Sequence, residues 1–198
     1  MTVTPRVAGP DDLDAVINTI TVAFQNDPVW SWAFPDPAAR PAQFRKWWPV
    51  LVEGALAQGF TWLTPAAETI TVWVRPGMPE MTDEAEALVL PILEALLGDR
   101  ARTVLGGLLQ FENAHPHDEP HYYLSFVATH DDHRGQGIGE QLLSQNLALI
   151  DAEHAAAYLE SSNPKNHARY QRLGFEPRDE FSMPDNGPSV LTMWRPAR

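Results

Sequence analysis

No cysteine occurs among the 198 residues, so neither a disulfide nor a thiol nucleophile is available, whatever the redox compartment. No hydrophobic run approaches membrane-spanning length and the N-terminus lacks a hydrophobic signal core, which predicts a soluble cytoplasmic protein. Basic residues are scarce. The 14 Lys and Arg stand against 26 Asp and Glu, and the net charge of −12 argues against nucleic acid and anionic membrane surfaces as partners while suiting a cationic amine. Two phosphate-binding signatures are missing as well: the Gly-Lys-Ser/Thr ending of a P-loop is absent, and Glu140 or Leu142 stands where a dinucleotide fingerprint needs its last glycine. The length, without a low-complexity break, predicts a single domain over residues 1–198.

What is present centres on Thr129-His-Asp-Asp-His-Arg-Gly-Gln-Gly-Ile-Gly139. Before it, Tyr122, Leu124, Phe126 and Ala128 alternate with Tyr123, Ser125, Val127 and Thr129, the two-residue period of a buried strand. After it, Ile138, Leu142, Leu143, Leu147 and Ile150 recur at helical spacing. The glycines therefore lie where a loop becomes a helix, a place with unpaired N–H groups and the positive end of the helix dipole. Lacking Cβ atoms, Gly135, Gly137 and Gly139 allow those N–H groups to converge on phosphate oxygens, and Arg134 adds positive charge at the rim.

Along the rest of the chain, a strand is expected near 4–7 and a helix with Leu13, Val16, Ile17, Ile20 and Phe24 on one face. Residues 26–37 hold three prolines and several aromatics and predict no regular element. Trp30, Trp32 and Phe34 in this stretch are candidate substrate contacts, although any one of them equally suits the core. A helix from about Pro41 should kink or split at Pro49. Strands follow at 60–64 and 69–74, then two helices between Thr82 and Ala114 divided at Gly98, with Leu88, Ile92, Leu93 and Leu96 facing the sheet from the first. His115, His117 and His121 invite a metal reading, but no ligand at helical spacing completes a site, and a solvated loop with no metal is expected. Residues 155–160 predict a central strand, 164–174 a short helix, and 175–183 and 189–195 a final strand pair.

Arg134-x-x-Gly137-x-Gly139 after a strand resembles the acetyl-CoA signature of the GNAT superfamily of N-acetyltransferases, and Tyr170-x-x-Leu-Gly-Phe175 after Asn163-Pro-Lys-Asn166 looks like its closing motif. Within the superfamily, residues 159–166 and 123–127 look most like the puromycin N-acetyltransferase group. The resemblance covers 120–176 and is weak over 1–118. It implies an α/β (α+β) fold: a mixed, mostly antiparallel sheet of about seven strands flanked by helices and splayed at the cofactor site. Residues 1–118 would mainly form the substrate side, and 119–198 the catalytic core. Acetyl-CoA would be held by Val127, Ala128, Thr129, Arg134, Gly135, Gln136, Gly137, Ile138, Gly139, Glu140, Asn163, Asn166 and Tyr170. The resemblance implies acetyl transfer to the primary amine of a small molecule, an aminonucleoside or antibiotic-like amine being the class considered, with a protein or peptide amine, or a non-catalytic acetyl-CoA sensor, as the alternatives and a homodimer as the assembly considered.

The implied reaction also needs acid–base groups. An ammonium must lose a proton before it attacks, and Glu160, at the end of a predicted central strand, is the candidate base. A backbone N–H near Val127–Ala128 would stabilise the oxyanion, as the resemblance implies. Tyr170, whose ordinary pKa of about 10 keeps it protonated at neutral pH, would return a proton to the CoA thiolate.

Overall fold

In the computed structural model, which describes residues 4–198, seven strands form one sheet. They are β1 (Arg6–Val7), β2 (Trp62–Leu63), β3 (Thr69–Val74), β4 (His121–Thr129), β5 (Ala156–Ser161), β6 (Glu176–Ser182) and β7 (Ser189–Arg195). Their order is β1-β2-β3-β4-β5-β7-β6, and every neighbouring pair is antiparallel except β4 with β5. The expected mixed, mostly antiparallel sheet is present, although β2 is shorter than the 60–64 expectation.

One irregularity in β4 organises the molecule. Val72 pairs with Phe126 and Trp73 with Leu124, so Ser125 is an extra residue on β4. An inserted residue reverses which face the following side chains meet. Tyr122 and Leu124 consequently pack with Leu143, Leu147 and Ile150, whereas Phe126 and Ala128 join the opposite core with Ile20, Trp48 and Val72. A uniform alternation along this strand is thereby corrected. The parallel pairing of β4 with β5 also ends at Leu124 and Leu159, so beyond Ser125 the strands part.

Seven α-helices cover the two faces: α1 (Leu13–Ala23), α2 (Pro28–Ala33), α3 (Arg40–Ala57), α4 (Asp83–Leu97), α5 (Ala101–Ala114), α6 (Ile138–Ala152) and α7 (His167–Arg172). Helix α2 overturns the expectation of an irregular 26–37 segment. Asp27 caps it, its Oδ1 accepting from the Val29 and Trp30 amides at 3.0 and 3.2 Å, while Pro28 supplies a preset φ at the first position. Nor does Pro49 split α3. The missing N–H costs one bond to the carbonyl four residues back, but Trp47, Trp48, Val50, Leu51 and Val52 are all buried around it and the helix runs unbroken from Arg40 to Ala57. In α4, Leu93 is buried as expected and Ile92 and Leu96 pack partly against the core, but Leu88 is exposed at 51% and Val89 is buried in its stead. Among the described residues no helix is long and apolar enough to cross a membrane.

Helix α3 also sets the position of the segment after β3. A Cβ on Gly54 would stand 2.7 Å from the backbone oxygen of Glu80. Glycine to alanine inside a helix ordinarily gains about 1 kcal/mol. Here the neighbour is backbone and must shift, so Gly54→Ala is expected to destabilise the fold by about 1–3 kcal/mol, read from urea unfolding. A gain in stability would show that the 75–82 segment gives way without cost.

Candidate active site

The glycine loop forms one wall of a cavity of about 570 Å³ at the start of α6. Gly137, the N-cap of α6, has φ +75 and Gly135 has φ +76, left-handed values that suit glycine. Gly139 is needed for a different reason: a Cβ there would lie 2.7 Å from Thr129 Oγ1, at the end of β4. Val127, Ala128, Thr129, Arg134, Gly135, Gly137, Ile138, Gly139, Glu140, Asn163 and Asn166 all line this cavity, joined by Lys165 and Arg169. Gln136 does not line it and bonds the Asp132 carbonyl at 3.4 Å. Arg134 does more than edge the rim. It pairs with Asp131 at 3.0 Å and donates to the Ala23 carbonyl, latching the loop onto the end of α1.

A second cavity of about 510 Å³ adjoins the first, with Phe24, Asp27, Val127 and Asn166 common to both. It lies where β4 and β5 part, and Tyr170, Glu160 and Ser125 line it. Tyr170 is buried at 5% exposure in α7, beneath the Arg169 guanidinium, which stands 5.2 Å from its ring centre. Burial raises the Tyr170 phenol while the Arg169 charge opposes the rise, so it stays protonated at neutral pH. The Glu160 side chain is 2% exposed, and its Oε1 has no hydrogen-bond partner. A buried carboxylate oxygen without a partner carries a desolvation penalty that a ligand cation would relieve.

The same cavity contains a carboxylate with no sequence signal. Glu80, in the segment between β3 and α4, accepts from Ser125 Oγ on the bulge. Burial pushes its carboxyl up to about 7, the Ser125 bond opposes this, and the Glu160 charge adds to it. Because the folded value lies above the unfolded one of about 4.5, the group stabilises the fold fully below that lower value and loses this contribution as pH rises towards 7. Glu80→Gln, neutral throughout, is therefore expected to be more stable than wild type at about pH 8 by roughly 3 kcal/mol, and nearly equal to it at about pH 4, in chemical unfolding. Equal stability at the higher pH would mean that the carboxyl is already well solvated.

The predicted substrate aromatics separate. Trp30 lines the second cavity, whereas Phe34 is fully buried between Phe44 and Trp47 and belongs to the core. Trp32 packs against Gly107 and beneath Arg100, outside both cavities. His117 lies exposed in a loop as expected, whereas His115 and His121 pack inward. His115 and His121 face each other with Nε2 atoms 3.1 Å apart, and His115 Nδ1 lies 3.8 Å from Glu160 Oε1. Among the described residues no group of three His, Cys, Asp or Glu side chains could hold a metal ion. Asp27 was also missed: Ser162 Oγ donates to its Oδ2 at 2.6 Å and joins α2 to the segment carrying Tyr170. The Asp-Pro cap was legible in sequence, but its partner 135 residues away was not.

Residues 99–177 match the acetyltransferase (GNAT) domain family. A solved structure described as histone acetyltransferase HPA2 and related acetyltransferase, from Corynebacterium glutamicum, is similar over 100% of this chain and 98% of its own, at 26% identity and a TM-score of 0.72. A polyamine N-acetyltransferase of Drosophila melanogaster, which forms N-acetylagmatine, matches 98% of this chain and 99% of its own at 14% identity and a TM-score of 0.64. The NatC complex bound to Gag peptide and CoA covers 100% of both at 13% identity and 0.56. These last two are likenesses of fold alone. With the glycine loop at the head of α6 and the sheet open between β4 and β5, residues 99–177 match the GNAT acetyltransferase domain family, and the chain as a whole has the fold of acyl-CoA-dependent N-acetyltransferases.

Proposed function

We propose that this protein transfers an acetyl group from acetyl-CoA to the primary amine of a small amphipathic cation, with aminonucleosides and antibiotic-like amines among the substrates to test first. The lining of the second cavity carries this reading. Asp27, Glu80, Glu86, Glu112 and Glu160 bring negative charge, and none of the described lining residues is lysine or arginine. Val89, Leu90, Leu105, Leu108 and Phe111 form an apolar wall from α4 and α5. A ligand with an ammonium end and an apolar body satisfies both. The similarity to an enzyme that acetylates a polyamine supports the same chemistry.

The first cavity fits acetyl-CoA. The unpaired N–H groups at the head of α6, the absence of a Cβ at Gly135 and Gly137, and the nearby Lys165 and Arg169 suit a pyrophosphate. Acetyl-CoA supplies an activated thioester carbonyl. Glu160 takes the proton from the ammonium, freeing the nitrogen lone pair, and Glu80 supplies negative charge beside it. Backbone N–H groups near Val127 and Ala128, where β4 has left β5, stabilise the charge that develops on the attacked oxygen. Tyr170 gives its proton to the leaving thiolate.

The test is thiol release from acetyl-CoA across a panel of puromycin, aminoglycosides, diamines, arylalkylamines and short peptides. With no cysteine in the protein, a thiol reagent reports CoA alone. Release dependent on one small amine is expected. Preference for a peptide α-amine would replace the small-molecule reading with a protein substrate, and silence across the panel would reject both.

A further inference from the structure

Behind the reacting cavity lies a third of about 540 Å³, on the side away from the glycine loop, which shares Glu80, Met81, Glu86, Glu112 and Tyr123 with it. His115 lies between this outer cavity and Glu160. Its hydrogen bonds determine where its protons reside. His121 Nδ1 is 2.6 Å from the Glu119 carbonyl, which can only accept, so His121 Nδ1 carries hydrogen. Burial lowers the His121 pKa and favours the neutral ring, whose Nε2 then offers a lone pair. His115 Nε2, 3.1 Å away, must donate to it. In neutral His115 this leaves Nδ1 as a bare acceptor, and that atom faces Glu160 Oε1 at 3.8 Å. The two facing atoms both lack hydrogen, so their attraction requires one proton between them.

From this chain of contacts we infer that His115 is a relay that drains the proton Glu160 takes from the substrate and delivers it to the outer cavity. The inference rests on the acetyl-transfer reading above. The substrate ammonium loses a proton to Glu160, making a carboxylic acid. A small movement or one intervening water brings the acid within hydrogen-bond length of His115 Nδ1, which accepts the proton and becomes an imidazolium. The imidazolium passes its Nε2 proton through His121 Nε2 to water in the outer cavity, which leaves His115 as the Nδ1–H tautomer, and exchange of the ring protons with that water restores Nε2–H before the next turnover. Glu160 is thereby a carboxylate again, and no proton travels past the bound thioester.

The groups facing His115 suit this role. Glu160 and Tyr158 face it from β5 and His121 and Tyr123 from β4, with Glu80 and Glu112 acting from the segment before α4 and from α5. Burial and the Glu160 charge raise the Tyr123 and Tyr158 phenols, so neither tyrosine competes for the role. His115 is therefore a positioning residue that acts through Glu160.

Two measurements test this. In nitrogen-15 spectra of histidine-labelled protein, His121 is expected as the Nδ1–H tautomer and His115 as Nε2–H. Reversed tautomers would overturn the relay whatever the activity. In amine-dependent thiol release, His115→Ala and the shape-preserving His115→Gln are expected to lose roughly tenfold to 100-fold in kcat, with both KM values within about twofold. Added imidazole, entering the outer cavity, is expected to restore the alanine variant more than the glutamine one. Unchanged kcat, or a loss that imidazole leaves untouched, would overturn the inference. An inactive wild type would remove the acetyl-transfer reading itself and the relay with it, an outcome distinct from active wild type with indifferent variants.

Discussion

Glu160→Gln is expected to lower kcat/KM for the amine by about 10²–10⁴-fold, the usual worth of a positioned general base. Glutamine keeps the shape of the side chain and removes both the charge and the proton affinity. Because Glu160 is 2% exposed and its charge disfavours ionisation of Glu80, the neutral substitution also relieves a buried repulsion. The variant should therefore fold at least as well as wild type, and lost activity cannot be attributed to lost structure. Its acetyl-CoA affinity should stay within about twofold of wild type, since the glycine loop and Glu160 belong to different cavities. Substrate-saturation kinetics at several pH values, with calorimetry for acetyl-CoA, check both halves. Wild-type turnover in the variant would move Glu160 to a structural role and leave Glu80 as the base. In wild type, kcat/KM should rise with pH through about 7, as Glu80 loses its proton and the cavity gains its second negative charge for the ammonium.

Tyr170→Phe is expected to lower kcat by about 10²-fold or more while leaving acetyl-CoA affinity nearly unchanged. The ring packs edge-on against Phe175 at 6.1 Å and beneath Arg169, and phenylalanine preserves both contacts. What it removes, on the proposed mechanism, is the proton for the departing thiolate. Donors whose leaving thiol is more acidic need that proton less, so a series of acyl thioesters should show the defect shrinking as the leaving thiol pKa falls. A uniform defect across the series would assign the hydroxyl to binding. The substitution also removes a buried hydroxyl, so its stability should stay within about 1 kcal/mol of wild type.

The legible part of this molecule was what one segment can encode. Gly137 and Gly139 announced a loop entering a helix, the alternation of β3 announced a buried strand, and Thr82 and Gly98 marked the ends of α4. Val127, Ala128, Thr129, Arg134, Gly135, Gly137, Ile138, Gly139 and Glu140 therefore gather around one cavity with Asn163 and Asn166, while Gln136 turns aside. Where prolines were read as breakers, local propensity lost to context. Pro28 begins a helix because Asp27 caps it, and Pro49 sits within one because five buried neighbours outweigh a single missing hydrogen bond.

The sequence by itself determined the glycine loop at the head of α6, the proposed acetyl-CoA side, since a loop that aims consecutive backbone N–H groups into a cavity needs only glycines at the right intervals. The tertiary structure decided the second cavity, the proposed substrate side. The single extra residue at Ser125 opens β4 from β5, turns Phe126 to the opposite core and places a hydroxyl against Glu80, which is 45 residues away in the chain. Glu80, Glu160 and His115 come from a loop, a strand and a helix end, and the raised proton affinity of Glu80 depends on burial and on the Glu160 charge. No periodicity encodes such a group, because electrostatics and desolvation act through space and the spacing along the chain carries no record of them.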